Sequence, residues 1–128
     1  MNAMPGQLWR FERHGATHLA VIASCHEKNL TFWPAVLDAE LADESTLVVP
    51  PSDTGLLTPL VMWPYIETGT DVSVLDFRIG TLLPVQKFLM LRKALSEGSP
   101  LPVQWAQGKE PVGWMQQEMN QVAAFFGM

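Results

Sequence analysis

The chain has 128 residues and a mass of 14.3 kDa, a length that fits one domain and excludes a second full domain. Hydrophobic residues make up 48% of the chain and charged residues 16%, a composition that excludes a disordered tail and predicts a packed core. The net charge of −5 is modest, and the distribution of charge along the chain says more about possible ligands than the total does.

Acidic side chains are concentrated in the middle of the chain. The 49 residues between Lys28 and Arg78 contain eight acidic residues and no basic ones. Because nucleic-acid binders draw most of their non-specific affinity from lysine and arginine, this segment disfavours contact with phosphates. A basic surface must therefore be assembled from residues nearer the two ends: Arg10, Arg13, Arg78, Lys87, Arg92 and Lys93.

Several features predict a cytoplasmic protein without membrane contact. The first seven residues lack the basic and apolar regions of a signal peptide. The longest uncharged stretch near the middle, residues 54–66, has 13 residues and contains Pro59 and Pro64, so it is too short and too broken to span a bilayer. Cys25 is the only cysteine, which excludes an internal disulfide and agrees with a reducing compartment.

The first third of the chain predicts a hairpin and a third strand. Residues 7–12 alternate polar and apolar side chains at period two, a turn follows around Gly15, and residues 17–24 form a buried returning strand. Residues 30–37 form the next predicted strand. Pro34 lacks the N–H group that a central strand needs, so an edge position or a bulge is expected there.

The next third predicts shorter strands separated by turns. Residues 46–49 form one strand, and residues 50–55 carry the strongest turn signal in the chain. Further strands are predicted over residues 56–66 and 72–75. Five or six strands therefore precede the first helix.

Two helices complete the predicted elements. Pro84 is suited to the start of a helix, and apolar residues at helical spacing predict that this helix runs over residues 84–95. Prolines and glycines then predict a linker over residues 98–111. An amphipathic C-terminal helix is predicted from about residue 112, either packed on the barrel, paired with a partner's copy or presented to another protein.

The elements together predict a mainly β protein built around a small, partly open barrel. Residues 1–97 are expected to form the barrel with its helix. Residues 98–128 are expected to form the linker and the C-terminal helix, packed on the same domain.

Strong signatures of metal and nucleotide chemistry are absent: the chain has no glycine-rich phosphate loop, no Cys-x-x-Cys and no His-Glu-x-x-His. No cofactor and no metal are therefore expected. Two alternatives stay open, a zinc site built from His14, His18, Cys25 and His26, and a thiol nucleophile at Cys25. The structural roles of these residues are the favoured interpretation, and the acidic residues 38–44 are interpreted as a solvated connection rather than a hydrolase pair.

The order and spacing of several segments resemble the PemK/MazF toxin family. The most specific segment is residues 75–82, which run directly into the helix at Pro84. The resemblance covers about residues 5–96. The other segments that resemble the family are, in chain order, Gly6 to Trp9, Ala20 to Ser24, the strand into Pro34, Leu47 to Pro50, Leu56 to Ile66, and Thr68.

This resemblance implies both a fold and a function. Members of the family have a small SH3-like β-barrel with helices, form homodimers, are bound by an antitoxin and typically cleave single-stranded RNA. The chain is accordingly expected to be a growth-inhibiting toxin of a toxin–antitoxin system, and a metal-independent endoribonuclease if the catalytic site is intact.

The sequence departs from the family at the positions that carry the nuclease chemistry. Thr17 and His18 stand where the family has an Arg-Pro pair, Val36 stands where a threonine is usual, and Glu67 stands where a basic residue is usual. The long first loop of active members is reduced to a turn at His14 and Gly15. Each of the three substitutions removes a group that would attract phosphate or assist proton transfer.

A rearranged catalytic site is still predicted on the hairpin, where cationic, imidazole and hydroxyl groups lie close together in sequence. Its predicted catalytic residues are Arg10, Arg13, His14, Thr17 and His18. The alternative is a barrel without nuclease activity that acts through protein contacts. Residues 120–128 are similar to the ending of CcdB, a structural relative that poisons DNA gyrase, and so Phe125, Phe126 and Met128 are predicted to bind a protein.

Overall fold

The computed structural model describes residues 2–107, which form a mainly antiparallel sheet of eight strands with one main helix. The predicted mainly β class is confirmed. The strands are β1 (Gln7–Arg13), β2 (Ala16–His26), β3 (Asn29–Val36), β4 (Leu47–Val49), β5 (Leu60–Met62), β6 (Thr68–Asp71), β7 (Leu75–Thr81) and β8 (Ala106–Gln107). The helices are α1 (Pro51–Thr54), α2 (Val85–Glu97) and two short 3-10 turns at Ala39–Leu41 and Val72–Val74.

The strands follow the order β7-β1-β2-β3-β5-β4-β8, and β6 lies beside β3. Strands β1 and β2 form the predicted hairpin. His14 and Gly15 both have positive φ, 55° and 76°, as a two-residue type I′ turn requires. This turn sets the register of the hairpin, in which Arg13 lies opposite Ala16 and Leu8 opposite Val21.

Strand β3 has a different partner at each of its ends. Its first half pairs with β6 up to Phe32, and its last two residues, beginning at Ala35, pair with β5. Pro34 lies where the partner changes, so its missing N–H group interrupts no ladder on that side. Strand β3 as a whole is interior, but Pro34 itself has no paired residue on that side, as at an edge. The expected bulge is not at Pro34; the irregularity in this strand pair lies in β2, between Ile22 and Ser24.

Several segments differ from the sequence prediction. The long predicted strand over residues 56–66 is reduced to Leu60–Met62 between its two prolines. The predicted turn over residues 50–55 contains the single-turn helix α1. Strand β6 was missed because its sequence, rich in glycine, threonine and aspartate, carries a weak local β signal, and pairing with β3 supplies what propensity does not. Strand β7 was also missed, although Leu75, Phe77 and Ile79 alternate with polar residues as in a half-buried strand.

Helix α2 confirms the predicted helix with a small shift of its ends. Pro84 occupies the position before its first residue, and the chain leaves the helix at Gly98. Phe88, Leu91 and Ala94 are buried along one side, at the spacing that the sequence indicated.

The two faces of the sheet carry separate apolar clusters. On one face, here called the α2 face, Leu8, Val21 and Trp33 pack under α2, and the Trp33 and Phe88 ring centroids are 4.9 Å apart. On the opposite face, here called the far face, Trp9 and Phe11 belong to a second cluster. Successive residues of a strand point to opposite faces, so each hairpin residue is assigned to one of these faces by its register.

Residues 98–107 add to this core. Trp105 is buried in the α2-face cluster, its indole Nε1 donates to Asp53 Oδ2 at 2.8 Å, and β8 pairs with β4. The predicted C-terminal helix and the protein-binding residues Phe125, Phe126 and Met128 lie outside the described residues. Within residues 2–107, no helix is both long and apolar enough to cross a membrane.

Candidate functional site

The hairpin divides the five predicted catalytic residues between the two faces of the sheet. Arg10 shares the α2 face with Leu8, and Thr17 joins it there because it lies opposite Glu12. Arg13 and His18 lie on the far face with Phe11. His14 occupies the exposed turn between the strands. The predicted residues are therefore close along the chain without forming a single cluster.

On the far face, His18 makes an aromatic contact. Its ring stacks on Phe11, with centroids 5.1 Å apart and planes 24° apart, and Phe11 also meets Phe32 edge to face. This contact supports the hairpin's apolar cluster and gives His18 a structural role.

On the α2 face, Arg10 contacts a residue of β7, a strand that is distant from β1 along the chain. Strand β7 pairs with β1 so that Phe77 lies opposite Arg10, and the guanidinium carbon lies 4.6 Å from the Phe77 ring centroid. The Nε atom of Arg10 is buried and has no hydrogen-bond partner among residues 2–107. Glu12 and Thr17 flank this pair on the same face and are both exposed. A cation, a carboxylate and a hydroxyl thus share one face.

Sequence reasoning missed Glu12 and Phe77. Period-two alternation and the two-residue turn were sufficient to place Glu12 with Arg10 and Thr17, because the turn determines the register. No local signal points to Phe77, whose position depends on a strand pairing with β1 across 67 positions of the chain.

An open groove of about 510 Å³ lies at the other end of β2 and β3, away from the hairpin turn. Ser24 and Thr31 hydroxyl oxygens are 2.6 Å apart on its floor. The pKa of Asp71 is lowered, first by the hydrogen bond from the Ser73 backbone N–H and then by the Ser73 side chain. None of the five predicted catalytic residues lines this groove, which is formed by Ser24, His26, Asn29, Leu30, Thr31, Gly69, Thr70 and Asp71.

Glu67, which stands where the family has a basic residue, is held by two partners. The Trp33 indole Nε1 donates to Glu67 Oε1 at 3.0 Å, and Arg92 donates to Glu67 Oε2 at 2.8 Å. Arg92 also reaches the Ala23 carbonyl oxygen at 3.3 Å. The ion pair offsets the negative charge at this position and ties α2 to the sheet.

The zinc and thiol alternatives gain no support. Among residues 2–107, no three histidine, cysteine or acidic side chains lie close enough to hold a metal ion. The thiol of Cys25 donates to the Ala3 carbonyl oxygen at 3.1 Å, and partial burial of the sulfur raises the pKa of this thiol. A raised pKa lowers the thiolate fraction near neutral pH, and the thiolate is the nucleophilic form.

Cys25 is therefore expected to react slowly with iodoacetamide. The rate of alkylation, measured by mass spectrometry from pH 6 to pH 10, should rise with a midpoint above the ordinary cysteine pKa of about 8.5. Free cysteine under the same conditions is the control. A midpoint below that of free cysteine would contradict the raised pKa and revive the nucleophile hypothesis.

The described elements, an antiparallel barrel-like sheet with one main helix packed on it, define a small, mainly β fold of the class that the sequence predicts. No family model and no curated protein matches the chain. Among solved structures, the chain is similar to an endoribonuclease in complex with its cognate antitoxin from a mycobacterial species. The TM-score is 0.54 at 18% sequence identity, and the match covers 80% of this chain and 100% of that chain. The resemblance to the PemK/MazF family is thereby confirmed at the level of fold.

Proposed function

We propose that this chain is a PemK/MazF-like growth-inhibiting toxin, restrained by an antitoxin protein, that cleaves single-stranded RNA without a metal ion. The observation that carries the proposal is the grouping of the half-buried Arg10 with the exposed Glu12 and Thr17 on one face of a fold shared with an endoribonuclease. The homodimeric state that the family resemblance implies and the cytoplasmic location that the sequence predicts belong to the same proposal.

Cleavage without metal requires three tasks. The 2′-oxygen attacks the neighbouring phosphorus and displaces the 5′-oxygen of the next nucleotide, leaving a 2′,3′-cyclic phosphate and a 5′-hydroxyl. A base must take the 2′ proton, an acid must give a proton to the leaving 5′-oxygen, and donors must stabilise the charge on the phosphorane.

The hairpin supplies one group for each task. Glu12 is assigned the role of base, His14 in the turn the role of acid, and Arg10 the stabilisation of the phosphorane, with the Thr17 hydroxyl donating to a phosphate oxygen. Residues on diagonal positions of an antiparallel pair, such as Arg10 and Thr17, are about 7–8 Å apart, a span that one phosphate with its two ester oxygens can bridge.

The test uses the full chain and a labelled single-stranded RNA of mixed sequence in excess EDTA. We expect cleavage with 2′,3′-cyclic phosphate ends, growth arrest on expression, and relief of both by a co-expressed antitoxin. RNA that stays intact at all protein concentrations, in an otherwise folded sample, would contradict the nuclease assignment.

A second candidate function, a barrel that acts only through protein contacts, is favoured by a specific observation. Apolar side chains on the loops around β3 and β5 are between 45% and 57% exposed: Leu37, Leu41, Tyr65 and Ile66. Large exposed apolar side chains are typical of protein-binding surfaces. This candidate predicts an increase in particle size on addition of a partner protein, measured by light scattering, while RNA stays intact.

A further inference from the structure

We infer that Phe77 is a stacking site for one nucleobase of single-stranded RNA, and that the Arg10 guanidinium beside its ring holds a neighbouring phosphate. This inference rests on the proposed function, because it names where the RNA lies relative to the hairpin site. It assigns a ligand contact to a strand, β7, that the predicted catalytic set did not include.

The first supporting observation is the exposure of Phe77. Its side chain is 47% exposed on β7, a strand at the edge of the sheet, whereas the side chain of Leu75, two positions earlier, is 3% exposed. Removing the surface of an aromatic ring from water is strongly favourable. A flat apolar ligand that covers the exposed part of the Phe77 ring is therefore bound favourably. Nucleobases stack on such rings in proteins that bind single strands.

The second observation is the charge beside the ring. Arg10 lies over Phe77, and no carboxylate among residues 2–107 pairs with it; the one ion pair there joins Arg92 to Glu67. A guanidinium without a carboxylate partner is available to a phosphate, for which its planar donor set is well suited. Glu12 is on the same face, two positions along β1, where the proposed chemistry places it next to the 2′-oxygen.

The third observation is the contrast with the other exposed surfaces. The open groove carries the Asp71 carboxylate, whose lowered pKa keeps it ionised, so phosphates are disfavoured there. Tyr65 is 57% exposed, but no cation–ring contact is found for it in the described part of the chain. An aromatic ring and a cation occur together only at Phe77 and Arg10 within residues 2–107.

Binding is tested separately from cleavage with a fluorescent 2′-O-methyl RNA of mixed sequence, which lacks the attacking hydroxyl. Fluorescence anisotropy gives the affinity of the full chain. Phe77→Leu is expected to weaken binding about 5- to 150-fold, the range found when base-stacking rings are removed. Phe77→Tyr keeps the ring and should bind within about threefold of the wild type, a rescue that a loss of folding would not show.

Tyr65→Leu is the matched control, since it removes a ring of similar exposure with no guanidinium beside it among residues 2–107, and it should leave the affinity unchanged. A second readout is the salt dependence of binding: Arg10→Gln should reduce the slope of log K against log salt by about 0.7, the value for one phosphate contact to a single strand. Phe77→Leu should leave that slope as it is.

Equal affinities for Phe77→Leu and the wild type would overturn the inference, and so would equal losses in Phe77→Leu and Tyr65→Leu. If unmodified RNA is cleaved while Phe77→Leu binds normally, the inference fails and the proposed function stands. If Phe77→Leu loses affinity but the wild type cleaves no RNA, the stacking site stands and the nuclease assignment fails.

Discussion

Replacing Arg10 by glutamine is expected to lower the rate of RNA cleavage by about 100- to 1000-fold, the usual cost of removing one donor that stabilises transition-state charge. The reason is that Arg10 is the only basic residue that the structure places on the α2 face of the hairpin beside Glu12 and Thr17. Single-turnover cleavage of a labelled RNA in EDTA measures this effect without interference from product release.

Arg78→Gln is the matched control for this experiment. Arg78 is an exposed residue next to Phe77 in β7, but it pairs with Trp9 and so lies on the far face. Its replacement removes the same charge from the same region and should change the rate by less than about threefold. His18→Ala, also on the far face, should behave in the same way. Equal losses in Arg10→Gln and Arg78→Gln would show that net charge, not the α2-face site, carries the activity.

Gly6→Ala is expected to lower the free energy of unfolding by about 3 kcal/mol, because a left-handed residue costs about 1–2 kcal/mol and overpacking about 1–3 kcal/mol. Gly6 has φ of 92°, and an added Cβ would overlap the carbonyl oxygen of Leu83. Its backbone also ties the start of β1 to β2 and to the segment between β7 and α2, since its N–H donates to the Ile22 carbonyl oxygen and its own carbonyl oxygen accepts from the Leu82 N–H. Thermal unfolding should show a midpoint roughly 10 °C lower.

Gly15→Ala separates the two causes. Gly15 also has positive φ, 76°, but an added Cβ would meet no atom within 4 Å. Only the conformational cost applies, and the expected loss is about 1 kcal/mol. A loss in Gly15→Ala as large as that in Gly6→Ala would show that the close approach to Leu83 contributes nothing.

The candidate site could be predicted from the sequence only in part. The sequence indicates a cationic, hydroxyl-bearing hairpin with Arg10 and Thr17, and the structure keeps these two on one face. It also groups Arg13 and His18 with them, although one-residue steps along a strand reverse the face. Proximity along the chain was therefore a poor guide to proximity in space for these strand residues.

The sequence by itself determined the elements whose signals are local. The hairpin follows from alternation and a Gly15 turn, and α2 follows from Pro84 and an apolar stripe, because neighbouring residues alone settle these conformations. Only the tertiary structure decided the rest. The change of partner at Pro34, the polar strand β6 and the contact of Arg10 with Phe77 all depend on pairing between distant segments. Such pairing is stabilised by burial of the whole sheet, and a short stretch of sequence does not show which distant segment it will pair with.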